Sequence, residues 1–273
     1  MSKDPSVHKA LATHLKELRM PGVRQCYRDE ADRARKESLS YEGYLLEVMR
    51  REAEGRRQNR IERLLRESRL PLEKTLSSFD LSRLPPRLRQ QVQVLLEGSF
   101  LDRRENVLAF GNPGSGKTHL LCAIAQELVR RDRPVLFTTC SLLVQELLLA
   151  KSELKLARMI KRLSKFEALI IDDIAYVQQN RGEMEVLFTL LAERYERGSV
   201  LLTSNLPFSG WEQIFKDPMT TAAAIDRLVH HCIILELNVK SYRMEKAGER
   251  RQAKTEIAQS EGERHNLSET ATG

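Results

Sequence analysis

The pattern of apolar and polar positions divides the chain into three textures. From about residue 6 to residue 70, apolar side chains recur at helical spacing within a dense field of charge. Leu11, Leu15 and Leu18 share one helix face. Pro21-Gly22 breaks that helix. A second helix is expected through Cys26 and Tyr27 towards Lys36, and Ser40 is placed to cap a third, long one ending near Arg69. The third is apolar at its ends, with Leu45, Leu46, Val48 and Met49 first and Ile61, Leu64 and Leu65 last, but almost wholly polar from Arg50 to Arg60. A helix that loses its apolar stripe midway cannot bury that stretch in a core of its own, so it crosses solvent or faces a polar partner. Pro71 stops it.

Residues 71 to 86 form a proline-marked connector, followed by a helix over Arg87 to Leu96. From Asn106 short apolar runs alternate with helical stretches. The expected strands are Val107–Phe110, Pro134–Thr138, Ala168–Asp172, Val200–Ser204 and Cys232–Leu237. None alternates strictly with polar residues, as expected of parallel strands buried on both faces. The order of elements implies an α/β layer fold. From about Glu245 the chain is polar, and a frayed or disordered tail is expected.

Composition adds direction. The 273 residues carry a formal net charge of +7, with a pI of about 9.3. That balance favours an anionic partner, nucleic acid being the commonest, although many mildly basic proteins bind nothing anionic. Four cysteines form no CxxC pair and lie at no metal-ligand spacing, so they are expected as reduced thiols. No apolar run approaches the roughly 20 residues of a membrane span. The N-terminus has no apolar signal core, so the expected compartment is the cytoplasm, with no membrane partner.

The chemistry begins at Gly111-Asn112-Pro113-Gly114-Ser115-Gly116-Lys117-Thr118, a P-loop pattern between an expected strand and a helix over Thr118 to Arg130. Its glycines let backbone N–H groups converge on phosphates, and the helix brings its positive end to the same anions. Lys117 can reach the β- and γ-phosphates, and Thr118 can supply a hydroxyl to Mg²⁺. ATP and Mg²⁺ are the implied ligands. Ala168-Leu169-Ile170-Ile171-Asp172-Asp173 supplies the second half, an apolar strand ending in acids. There Asp172 would hold Mg²⁺ through water and Asp173 would orient or deprotonate the attacking water. Asn205, at the end of another strand, either hydrogen-bonds the γ-phosphate and that water or is an ordinary turn residue.

With these motifs the chain resembles the IstB-type helper ATPases of bacterial insertion sequences, AAA+ proteins close to the helicase loader DnaC. The matching stretches are Gly111–Leu120, which adds His119 to the nucleotide-binding set, Leu169–Ile174, Arg194-Tyr195-Glu196, Thr203–Phe208 with Trp211, Ile225–His231 and Ser241-Tyr242-Arg243. The resemblance implies a AAA+ P-loop core with a parallel sheet, preceded by a small all-helical N-terminal domain. The expected division is 1–75 helical, 76–243 ATPase core and 244–273 tail. It implies Asn205 as a sensor, Arg227 as an arginine finger for a neighbouring subunit, and Arg243 as a sensor-like arginine in its own subunit. The alternative for Arg227 is a surface salt bridge to Asp226 or a neighbour. A homo-oligomer sharing ATP sites, a cognate transposase and double-stranded DNA are the implied partners. A replicative helicase loader is the alternative.

Two basic stretches are candidates for DNA. In one, Arg56, Arg60 and Arg63 share a helix face, though acids are interspersed. In the other, Lys151, Lys155, Arg158 and Arg162 are expected on one helical face, with Lys161 beside them and few acids nearby. Such stripes track a phosphate backbone without reading bases. Aromatic residues are sparse in both, favouring duplex over stacked single strands.

Overall fold

The computed structural model describes residues 5–174, 181–213, 218–239 and 241–242, in two units that divide after Arg66. The first contains α1 (Pro5–Glu17), α2 (Pro21–Glu37) and most of α3 (Tyr41–Glu67). Pro21 does not merely interrupt. It opens α2, at a position where its missing N–H and fixed φ cost nothing. Ser40 does cap α3, its Oγ accepting from the Gly43 N–H at 3.1 Å. Leu15, Val23, Tyr27 and Val48 form a small core.

The polar middle of α3 faces a polar partner. Glu52 is buried and accepts from the Val23 N–H at 3.1 Å and from Arg56 Nε at 2.7 Å. A carboxylate thus sits on the first turn of α2, where the helix dipole and unpaired N–H groups favour negative charge. Burial opposes the charge, but the Arg56 hydrogen bond and the backbone N–H groups of Val23 and Gly22 outweigh it, and the carboxyl is held below its usual range. Gly22 permits the approach, since a Cβ there would lie 2.8 Å from Glu52 Oε2 and 3.1 Å from its Cα.

The second unit begins with a connector, then α4 (Pro86–Glu97) and α5 (Ser99–Asp102). There follow β1 (Asn106–Gly111), α6 (Lys117–Arg130), β2 (Val135–Thr139), α7 (Cys140–Ser152), α8 (Leu156–Leu163), β3 (Ala168–Asp172), α9 (Arg181–Arg194), β4 (Ser199–Ser204), α10 (Pro218–Val229) and β5 (Cys232–Leu237). The strands lie in the order β2-β3-β4-β1-β5, and every pairing is parallel. Helices cover both faces, α6 with α4 on one and α7, α8, α9 and α10 on the other. This is the two-faced burial that the near-continuous apolar runs require. The C-terminal ends of the strands all point to one edge, and the functional residues gather there.

One expected element differs. Residues 151 to 162 do not form a single helix: α7 ends at Ser152 and α8 starts at Leu156. Between them Leu154 takes a left-handed φ of 57°. Lys151 therefore lies on α7, Lys155 at the junction, and Arg158, Lys161 and Arg162 on α8. The break lets α8 lay Leu156, Met159, Ile160 and Leu163 on the core. Among the described residues no helix is long and apolar enough to cross a membrane.

Candidate nucleotide site

The loop between β1 and α6 is built on glycine. Gly111, Gly114 and Gly116 have φ of 151°, 81° and 96°. A Cβ on Gly111 would lie 2.5 Å from the Leu237 carbonyl oxygen, so the loop could not pass β5 with any other residue. Lys117 is buried, and its Nζ donates to the carbonyls of Gly111 at 2.7 Å and Asn112 at 3.0 Å and to Asn205 Oδ1 at 2.6 Å. Asn205 Nδ2 donates in turn to Asp173 Oδ1 at 3.1 Å. Asn205 is therefore no ordinary turn residue: its amide joins the P-loop lysine to the second acid, oxygen towards the cation and nitrogen towards the carboxylate.

Asp172 is held differently. Its Oδ1 accepts from the hydroxyls of Thr118 and Thr203, each at 2.7 Å. The Thr203 hydroxyl also accepts the Asp173 N–H at 2.8 Å. That bond helps fix Asp173 in a left-handed conformation, φ 62°. Burial and the adjacent Asp172 push the Asp173 carboxyl above its usual range, against the pull of Lys117. Thr203 was not singled out from the sequence. Its signals were a hydroxyl at the end of an otherwise apolar strand and the first place in the matching stretch Thr203–Phe208.

A cavity of about 390 Å³ opens over these groups. Its floor is Pro113 to His119 with Asp173, Thr203 and Asn205, and its walls include Phe79, Asp80, Arg83 and Tyr242. His119 lines it, but its Nε2 meets the Thr75 carbonyl at 3.0 Å and Ser78 Oγ at 3.2 Å, so it anchors the connector beside the P-loop. The Tyr242 N–H donates to the Gly114 carbonyl at 3.1 Å, and the ring of Tyr242 lies under the Arg83 guanidinium at 5.2 Å. Neither residue was assigned to the site from the sequence. Arg243 and the expected tail lie outside the described residues.

The residues present suit a nucleotide and a hard cation. Ser115 Oγ is buried beneath the loop with no hydrogen-bond partner among the described residues. Thr118 and Asp172 form an all-oxygen donor set, the kind Mg²⁺ takes.

The turn after β4 is supported from below by Trp211, fully buried. Its Nε1 donates to the Leu206 carbonyl at 3.2 Å, and its ring packs on Phe208 with centroids 5.1 Å apart. Trp211→Ala is expected to destabilise the core by about 3–5 kcal/mol, the range for buried large-to-small changes. Thermal unfolding checks this, and a melting temperature equal to the parent's would show that the turn stands without it.

Arg227 is exposed near the end of α10, just before β5. Because β5 runs parallel to β1 with Cys232 opposite Asn106, Arg227 lies at the end of the sheet away from the P-loop. Six strand residues separate the two ends, about 20 Å at the usual rise per residue. Of the cationic candidates, Arg56 binds Glu52 and the Arg19 carbonyl, while Arg60 and Arg63 are exposed on α3. Lys151 pairs with Glu185 at 2.7 Å, Lys155 with Glu153 at 2.8 Å, and Arg162 approaches Glu146 at 3.6 Å. The acids that appeared scarce in sequence arrive partly from α7 and α9. Arg158 and Lys161 are exposed with no ion pair among the described residues.

A parallel five-stranded sheet with a P-loop after β1, paired acids after β3 and a polar residue between them after β4 defines a P-loop ATPase of the AAA+ class. The chain belongs to the family of IstB-like ATP binding proteins, whose profile matches residues 13–251, and it is an ATPase of that family. It is 42% identical over 240 residues to an insertion sequence ATP-binding protein of Sinorhizobium fredii, covering 88% of this chain and 80% of that one. It is 39% identical over 213 residues to the ATP-binding protein of insertion sequence IS21 of Pseudomonas aeruginosa, covering 78% and 80%. Among solved structures, that of DnaI matches with a TM-score of 0.52 at 22% identity, over 62% of this chain and 94% of its own. A replication initiator DnaA bound to AMPPCP and single-stranded DNA matches with 0.53 at 18% identity, over 63% and 52%. At those identities the likeness is one of fold.

Proposed function

We propose that this chain is an ATP-dependent transposition helper that assembles on duplex DNA and recruits or stimulates a separate transposase. The insertion-sequence relatives supply the context. The observation that carries the reading is the separation of Arg227 from its own P-loop across the length of β1. A cation so placed serves a nucleotide only in another copy, so a complete site needs two subunits.

Within the site, the P-loop N–H groups and Lys117 hold the phosphates, and Thr118 and Asp172 would hold Mg²⁺. Bound there, the ion neutralises charge on the phosphate oxygens. Asn205 positions the attacking water against Asp173, which accepts its proton. Arg227 of a neighbour meets the charge that develops at the γ-phosphate.

DNA contact falls best on α8. Its apolar face is anchored in the core, and its outer face borders a groove of about 740 Å³ where six cations, Arg158 and Lys161 among them, outnumber the acids Glu146 and Glu153. Binding is expected to be non-specific, salt-sensitive and strengthened by ATP. Removing Arg158 and Lys161 together should lower the slope of log affinity against log salt by about 2, one per phosphate contact. Filter binding at rising salt reads this, and a slope equal to the parent's would move the DNA elsewhere. A transposition assay with Lys117→Ala tests the helper role itself: undiminished transposition would reject it.

A further inference from the structure

A second cavity, of about 240 Å³, opens at the end of the sheet opposite the P-loop. Arg103, Arg104, Arg194, Arg227 and His231 line it, and Glu196 is the one acid among its lining residues. Arg194 is the unusual member. It is only 4% exposed, and it has no carboxylate partner among the described residues. Its guanidinium donates instead to four backbone carbonyls, those of Leu163 and Phe166 at 3.2 Å, Glu167 at 3.1 Å and Ser199 at 2.9 Å. Its Nε is buried with no hydrogen-bond partner among the described residues.

Carbonyl dipoles solvate a buried cation but do not neutralise it. Burial and the nearby Arg104 push the Arg194 guanidinium down to about 10, which still leaves it charged at neutral pH. Around it, Arg103 shares its charge with Glu105 at 2.8 Å, while Arg104 donates to the Leu101 carbonyl at 3.3 Å and has no ion pair among the described residues. Arg104 is held towards this end of the sheet by a left-handed φ of 58°. Glu196 at the lining and Glu105 on Arg103, set against four guanidinium groups, still leave the cavity short of negative charge. Glu196, His230 and His231 lie at its rim with ligand atoms within 4.8 Å of one another, close enough for a metal ion, but the surrounding arginines oppose a cation there.

We propose that this cavity is a binding site for a phosphate-class oxyanion, with Arg104 and Arg227 as its direct ligands and Arg194 as the buried charge that sets its sign. The chain's own P-loop lies about 20 Å away, the length of β1. The oxyanion is therefore either inorganic phosphate or the terminal phosphate of a nucleotide carried by a second copy. The second source rests on the shared-site reading above; the first does not.

The test has two arms. In the first, inorganic phosphate is titrated calorimetrically into nucleotide-free Lys117→Ala protein, which weakens the P-loop as a competing phosphate site. Saturable binding that weakens at least about tenfold when Arg104→Asn is added supports the free-phosphate source, one charged hydrogen bond being sufficient for that loss. Asn suits the left-handed backbone at this position, so the variant keeps the turn. In the second arm, ATP turnover is measured with DNA. A fall of about tenfold or more in Arg104→Asn, recovered on mixing with Lys117→Ala subunits, supports the second-copy source. Phosphate binding that is absent or indifferent to Arg104, together with parental turnover in Arg104→Asn, overturns the proposal. If Arg227→Ala alone abolishes turnover while Arg104→Asn changes neither measurement, the shared ATP site stands and this cavity does not.

Discussion

Arg227→Ala is expected to reduce ATP turnover of the assembled protein by about 10³–10⁵-fold, the range for an arginine supplied to a phosphoryl-transfer site. ATP affinity of the isolated subunit should be unchanged. The reason is topological: Arg227 precedes β5, the P-loop follows β1, and the two strands run side by side in the same direction. No rotamer spans that separation, so the side chain cannot serve its own P-loop, and the trans role is what the variant tests. Mixing Arg227→Ala with Lys117→Ala subunits should restore part of the activity, because some interfaces then combine an intact P-loop with an intact arginine. Steady-state assays with DNA check both statements. Parental turnover in the single variant, or mixtures no more active than either component, would leave Arg227 as a surface charge.

The second large effect is expected at Asp173. Asp173→Asn keeps the shape, keeps an oxygen to accept from Asn205 Nδ2, and suits the left-handed backbone, which asparagine adopts readily. It removes the basic oxygen. Turnover should fall by about 10²–10⁴-fold with little change in ATP binding, the usual span for losing a general base. The pH dependence follows from the direction of the shift. Burial and Asp172 raise the Asp173 carboxyl, so in the parent the acid limb of turnover should lie above the ordinary aspartate range, activity rising as the group ionises. Stability carries the opposite sign. A carboxyl with a raised folded pKa favours folding while protonated, and that contribution is lost as pH rises through the folded value. Near neutral pH the asparagine variant should therefore melt no lower than the parent, and slightly higher if the ionised group is strained. A variant that is both inactive and markedly less stable would point to structural damage.

The strands were legible because their signal is local. Ala168–Asp172 and Cys232–Leu237 have the expected bounds, and the other three differ by a residue at one or both ends. A run of residues buried on both faces must be apolar throughout, whatever lies beside it. The P-loop was legible for the same kind of reason: its glycines, lysine and threonine act within one turn, so their spacing carries the chemistry. Glu52 was not legible. In sequence it is one acid in a charged stretch, and only the packing of α3 against the start of α2 makes it a cap. The basic stretch before β3 was misread as one helix because its 3.6-residue spacing continues through Leu154, whose left-handed turn leaves no clear mark in composition. Arg194 gave no sign of being buried, since the four carbonyls that hold it come from the ends of α8, the loop before β3 and the start of β4.

By itself the sequence determined that this chain carries a P-loop on a parallel α/β core, with Lys117, Thr118 and two acids ready for a nucleotide. Those properties reside in contiguous residues or in burial patterns that every neighbour must respect. Only the tertiary structure decided who meets whom. Asn205 reaches Lys117 across 88 residues of chain, and Asp172 reaches Thr118 across 54. Arg227 lies at the opposite end of the sheet from both, where four arginines and Glu196 line one cavity. Such encounters are set by strand order and helix packing, which bring together groups whose separation along the chain carries no signal of their proximity.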